Sequence, residues 1–358
     1  MKVGQSEINN TGKKISRRRF VIFVSIFALL IITAFVFILK TQDIKPDPAS
    51  EKVIREAAAI QLEKDPNELT DEDFAQVTEL SLYGKELCDF KLIDKFVNLE
   101  SLDLEQIKYP EKYNPKWMIV LSKLKLFNIR KKLLFNLKPL EKLYNLRKLN
   151  LSETQIKSIQ PLSNLINLQE LDLSSSNVES FEVLQRFQKL RNLNLYDTKI
   201  SDSKQIQQLT DLQILNIGKT QITDIDFLTE LTKLRGLNLS CIKISNIKVL
   251  GKLTSLRELN ISNTDISDVE QIQGLINLQK LYISATKISD LEPLKNLKYL
   301  SDFSVFGCMN ITEKDMAELK KALPGIKIWY NLGTGYFQSS DDLPNVQQNE
   351  YEFLLRKI

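Results

Sequence analysis

The sequence contains no histidine in 358 residues. That removes the commonest general base and the commonest metal ligand together. The cysteines, Cys88, Cys241 and Cys308, lie too far apart for a CxxC pair, and their odd number does not suit a disulfide framework. They read as free thiols that pack like small apolar side chains. A GxxxxGK[ST] phosphate loop is also missing. These absences argue against an enzyme and leave no metal or cofactor to expect. Glycine and proline are scarce, at 11 and 10, while hydrophobic residues make up 43%. A disordered or low-complexity chain is excluded on that composition. The net charge is +4, yet the basic excess is confined to residues 1–40, where Lys2, Lys13, Lys14, Arg17, Arg18, Arg19 and Lys40 face only Glu7. The rest is close to neutral and lacks the footprint of a nucleic-acid binder, so no nucleic-acid partner is expected.

One long uncharged run is present, from Phe20 to Leu39. As a helix it would span about 30 Å, the thickness of a bilayer core. Arg17, Arg18 and Arg19 abut its start, whereas Asp43 and Asp47 follow its end. The positive-inside rule then puts residues 1–19 in the cytoplasm and the rest of the chain outside it, as a single-pass membrane protein. A cleaved signal peptide is the alternative, but its apolar core should be shorter, and no small-x-small site follows at Ile38 to Gln42.

Beyond residue 76 the chain repeats. Leu146, Leu149, Leu151, Thr154 and Ile156 recur as Leu168, Leu171, Leu173, Ser176 and Val178, and the frame restarts at Leu190, Leu212, Leu234, Leu256 and Leu278, every 22 residues. It extends upstream to starts at Val77, Leu99 and Leu124, with a three-residue expansion before Leu124, and downstream to Leu300, eleven starts in all. Two alternating apolar positions form one face of a short strand. The following apolar residues, such as Ile222, Ile225, Leu228 and Leu231, fall every third position, which fits a 3₁₀-like return. One such loop cannot bury its own apolar side, but stacked copies can, with parallel strands along one face. Thr154, Thr198, Thr220, Thr264 and Thr286 are expected to turn the chain off the strand by bonding backbone groups.

With this frame the chain resembles bacterial leucine-rich-repeat proteins of the internalin-like, 22-residue type, over about residues 50–330. The resemblance implies an α/β repeat fold: a curved solenoid with parallel strands on its concave face and a 3₁₀ or irregular convex side. It also implies that the concave face binds protein or other macromolecular partners. The expected organisation is a linker at 40–50, a helical N-terminal cap at 51–76, repeats at 77–311, a C-terminal cap at 312–331 and a flexible tail at 332–358. Residues 343–347 do not match the wall-sorting motif of surface-attached internalins, so the N-terminal helix is expected to supply attachment instead.

The strand position between the paired apolar residues holds Ser81, Asp103, Asn128, Asn150, Asp172, Asn194, Asn216, Asn238, Asn260, Tyr282 and Ser304. This column reads either as a polar binding surface or as an amide ladder between strands. Two positions later stand Tyr83, Glu105, Arg130, Tyr196 and Phe306. Aromatic residues and arginine are enriched at interface hot spots. The candidate partner-binding residues are therefore Tyr83, Arg130, Tyr196, Asn216, Asn238, Asn260, Tyr282 and Phe306. The expected function is a membrane-anchored binding scaffold for a protein or envelope macromolecule. The alternative is a structural spacer or regulatory subunit of a membrane complex that acts through its tail or convex face.

Overall fold

Each repeat closes its return path with backbone bonds between its own period-three apolar residues. The amide of Leu162 donates to Ile159, that of Leu165 to Leu162 and that of Leu168 to Leu165, at 2.9, 2.8 and 3.1 Å. A 3₁₀ turn aligns residues three apart, so all of them point the same way, and these four are completely buried. The geometry recurs in 3₁₀ turns such as Lys138–Lys142, Glu182–Arg186, Asp226–Glu230 and Glu292–Asn296. In one repeat a short helix, Lys204–Gln207, takes this place.

The structure is a computed structural model and describes residues 47–87, 89–108, 136–331 and 337–338. The chain divides into two units, Met1–Asp47 and Pro48–Ile358, and everything below concerns the second. The apolar segment at 20–39 lies outside the described residues. Among those described, no helix is long and apolar enough to cross a membrane.

The strands are β1 (Glu79–Ser81), β2 (Ser101–Asp103), β3 (Lys148–Asn150), β4 (Glu170–Asp172), β5 (Asn192–Asn194), β6 (Ile214–Asn216), β7 (Gly236–Asn238), β8 (Glu258–Asn260), β9 (Lys280–Tyr282), β10 (Asp302–Ser304), β11 (Lys327–Asn331) and β12 (Phe337–Gln338). They form a single sheet in sequence order. Neighbours from β1 to β11 are parallel, and β12 is antiparallel to β11. Two residues of the expected tail thus join the sheet.

One expectation is corrected. The frame beginning at Leu124 should have supplied a rung between β2 and β3, but those strands pair directly, Ser101 with Lys148 and Asp103 with Asn150. No rung stands between them. The direct pairing forfeits no backbone bond: Arg147 and Lys148 donate to Glu100 at 2.8 and 3.0 Å, and Leu104 donates to Asn150 at 2.9 Å, as at the other junctions. The frame from Leu124 also begins after an overlong period. Arg130 lies outside the described residues.

Counting the leading residue of a repeat (Leu146, for example) as position 1, positions 4 and 6 point into one continuous core that runs from Ile54 to Ile328. The turn after each strand needs a left-handed residue at position 8. Gly84 and Gly307 supply it in two repeats, while Gln106, Glu153, Ser175, Asp197, Lys219, Cys241, Asn263 and Ala285 adopt positive φ without being glycine. At position 9 the hydroxyls of Thr154, Thr198, Thr220, Thr264 and Thr286 donate to the carbonyl three residues earlier, at 2.6–2.7 Å. They bond the backbone at the turn, as their spacing predicts.

Helices stand at both ends of the repeats. In α1 (Pro48–Leu62), Ile54, Ala58 and Ala59 are buried and belong to the common core. The next helix, α2 (Asp71–Phe74), opens with a capping box between Thr70 and Asp73. The Lys64 ammonium, with the Thr70 amide, holds the Asp73 carboxyl down at about 2. Phe74 packs on Phe96 with ring centroids 5.0 Å apart, and the Arg55 guanidinium lies over its ring at 5.1 Å. At the other end, a helix at Glu313–Ala322, capped by Thr312 and Asp315, buries Met316 and Leu319 against the last repeat.

Candidate functional site

Positions 3, 5 and 7 project from the open face of the sheet, opposite the core. The sequence makes position 5 a polar column, and the structure places much of it deep in the face. Asn216, Asn238 and Asn260 are all 0% exposed. The cause is local. Each asparagine turns its amide oxygen onto the backbone N–H two residues ahead: Gly218 donates to Asn216 at 3.1 Å, Ser240 to Asn238 at 2.9 Å and Ser262 to Asn260 at 2.9 Å. Asn150 and Asn194 do the same. The column is therefore largely a series of turn-supporting amides, with side-chain bonds between strands where Asn194 meets Asp172 and Ser81 meets Asp103. Asn216 and Asn260 leave their Nδ2 groups without a partner.

The character of the face changes along the sheet. The early rungs are acidic. Ser81 Oγ donates to Asp103 at 3.0 Å, Asn150 Nδ2 to Glu105 at 3.1 Å and Asn194 Nδ2 to Asp172 at 2.9 Å. Burial pushes both Glu105 and Asp172 upward, with the neighbouring carboxylates adding to the effect. The middle rungs are small and amide-rich. At the far end the face becomes aromatic.

Tyr83 follows β1 and is 52% exposed, with its hydroxyl donating to Gln106 at 3.3 Å. Tyr196 is buried, and Gly218 explains how it fits. A Cβ on Gly218 would meet Tyr196 Cδ2 at 3.0 Å and Ser240 Oγ at 2.9 Å, so only glycine leaves room for the ring beside that hydroxyl. Tyr83 and Tyr196 stand four rungs apart, about 19 Å. Asn216, Asn238, Asn260 and Tyr282 lie in register on adjacent strands. The Tyr282 hydroxyl reaches Glu258 at 3.4 Å, and burial, followed by the charges of Glu258 and Asp302, pushes its ionisation upward. Phe306 follows β10 and is half-buried.

One residue of this end escaped the sequence reading. Trp329 pairs with Ser304, the neighbour of Tyr282 in the same column. It is half-buried, between the inward Ile328 and the half-buried Tyr330. The inserted helix at Glu313–Ala322 puts Trp329 out of the 22-residue count. Only the alternation of Ile326 and Ile328 in the final strand signals its direction. Tyr282, Phe306 and Trp329 thus gather on β9–β11, with the hydroxyls of Ser284 and Ser304 bonded to each other at 2.9 Å. Among the described residues, no group of three His, Cys, Asp or Glu side chains is placed to hold a metal ion.

Comparison with known proteins agrees with this architecture. The family model for a leucine-rich repeat region matches residues 145–329. An internalin (inlF) from Listeria monocytogenes is similar with a TM-score of 0.56 and 25% identity, over 82% of this chain and 93% of that one. Internalin C2 from the same organism is similar with a TM-score of 0.55 and 25% identity, over 65% of this chain and 92% of that one. No curated protein matches the sequence. A family model that spans more than half of the chain, together with these neighbours, decides the matter: the chain belongs to the leucine-rich repeat proteins, of the bacterial internalin-like kind.

Proposed function

We propose that this protein is a non-catalytic binding scaffold, anchored in a membrane by residues 20–39, which takes a protein or envelope macromolecule on the open face of its sheet, the side expected to be concave. The observation that carries this reading is the aromatic cluster of Tyr282, Phe306 and Trp329 on adjoining rungs. Large aromatic side chains with a polar handle are the usual anchors of protein interfaces. Leucine-rich-repeat proteins serve generally as interaction scaffolds, which supports a binding role. The anchor rests on the uncharged run from Phe20 to Leu39 and the arginines that precede it. On this reading residues 1–19 are cytoplasmic, the repeats face the other side, and the capping helices close the two ends of the core.

The test is affinity capture from solubilised envelope with the full chain, beside a Tyr282→Ser/Trp329→Ser variant. A protein enriched by the parent and reduced about tenfold by the variant supports the site. Equal enrichment by both moves binding to the tail or the convex side.

A further inference from the structure

The two edges of the sheet differ in a way that partner binding on the open face does not explain. At the edge where the chain enters each strand, position 2 forms a continuous column. The amides of Gln169, Arg191, Gln213, Arg235, Arg257 and Gln279 each donate to the position-2 carbonyl of the preceding repeat at 2.7–2.8 Å. The column holds Arg147, Arg191, Arg235 and Arg257, all exposed. Arg147 has Glu100 at 3.7 Å, but among the described residues Arg191, Arg235 and Arg257 have no carboxylate within ion-pair distance.

The same edge carries exposed apolar side chains in the turn that leads into the strand. Val97, Tyr144 and Ile166 are 51%, 54% and 52% exposed, and Ile276 and Tyr299 are 58% and 65% exposed. The first three are stacked one rung apart, because Asn145 Nδ2 donates to the Val97 carbonyl at 3.2 Å and Asn167 Nδ2 to that of Tyr144 at 2.8 Å. The opposite edge is less uniform. Several of its lysines are matched across repeats, as in Lys157–Glu179, Lys219–Asp197 and Lys287–Asp265, and its exposed apolar side chain is the isolated Met309. The entry edge itself pairs Lys233 with Asp211.

We infer that the strand-entry edge lies against the surface of an anionic lipid bilayer, the membrane that the Proposed function assigns to residues 20–39. Arg235 and Arg257 stand on adjacent rungs about 4.8 Å apart and repel one another, with Arg191 two rungs from Arg235. Anionic headgroups relieve that repulsion. The apolar members select the occupant. A soluble polyanion would engage the arginines and leave Tyr144, Ile166, Ile276 and Tyr299 in water, whereas a bilayer interface receives tyrosine and aliphatic side chains beside arginine.

The test uses the full chain reconstituted into phosphatidylcholine vesicles, with and without an equal share of phosphatidylglycerol. A fluorophore on Gln213→Cys, in a Cys241→Ser background, reads energy transfer to a headgroup-labelled lipid. Transfer is expected to be stronger in the anionic vesicles. It should fall to the phosphatidylcholine value in Arg191→Gln/Arg235→Gln/Arg257→Gln and weaken in Tyr144→Ser/Tyr299→Ser. Transfer that ignores lipid charge and the arginine variant, in protein that still floats with the vesicles, overturns this inference and leaves the anchor intact. Loss with the arginine variant but none with the tyrosine variant, together with displacement by free polyphosphate, overturns the bilayer in favour of a soluble polyanion. Protein that floats with neither vesicle overturns the anchor and this inference together.

Discussion

Thr198 and Ser176 occupy the same place in neighbouring repeats with different consequences. The Thr198 hydroxyl donates to the Leu195 carbonyl at 2.7 Å in a buried turn. The Ser176 hydroxyl is buried with no partner. A buried hydrogen bond contributes about 1 kcal/mol net, whereas an unmatched polar atom costs desolvation with no return. Thr198→Val is therefore expected to lower the unfolding free energy by about 1 kcal/mol, while Ser176→Ala leaves it unchanged or raises it slightly. Urea midpoints of the two variants check this. A loss at Ser176 as large as that at Thr198 would mean that the serine hydroxyl is bonded after all. The asparagines above these turns follow the same local logic: each oxygen supports its own turn first, which is why the amides sit deep in the face.

At the scale of the element, the turn from strand to return path is the most constrained part of the repeat. Its left-handed residue is glycine at Gly84 and Gly307 but alanine at Ala285, where φ is 54°. An L-residue with a Cβ is disfavoured there by about 1–2 kcal/mol, and the greater freedom of glycine in the unfolded chain returns part of that. Ala285→Gly is expected to raise stability by about 0.5–1 kcal/mol. Its backbone bond to the Phe306 carbonyl, at 2.6 Å, should persist. A lower urea midpoint in Ala285→Gly would contradict this account of the turn. Asn263 and Asp197 occupy the same conformation at smaller cost, since short polar side chains tolerate it.

Across the whole molecule, stability is shared between neighbours along one axis. Leu215 is fully buried and pairs with Leu193 and Leu237 on the adjoining strands. A charge there enters a core common to several repeats. Leu215→Asp is expected to cost about 3 kcal/mol or more. Hydrogen exchange should show β5–β7 losing protection before β10 and β11. Melting and exchange identical to the parent protein would contradict the stacked frame. The asymmetry of the two edges also belongs to this scale, because it appears only when Arg147, Arg191, Arg235 and Arg257 are lined up rung upon rung.

The repeat itself was legible from the amino-acid order. Leucines at positions 1, 4 and 6, a threonine at position 9 and apolar residues every third place thereafter dictate strand, turn and 3₁₀ return through local sterics and local hydrogen bonds, and stacking follows because no single loop buries its own core. The family follows from the same pattern. What the order of residues did not contain was which rungs are neighbours and how deep each side chain lies. Direct pairing of β2 with β3 removed an expected strand. An inserted helix carried Trp329 into the column of Tyr282 and Ser304 outside the 22-residue count. Gly218 made room for Tyr196, and the asparagine column folded onto its own backbone. Each of these depends on contacts between residues far apart in sequence, and such contacts are settled by packing in three dimensions and not by periodicity along the chain.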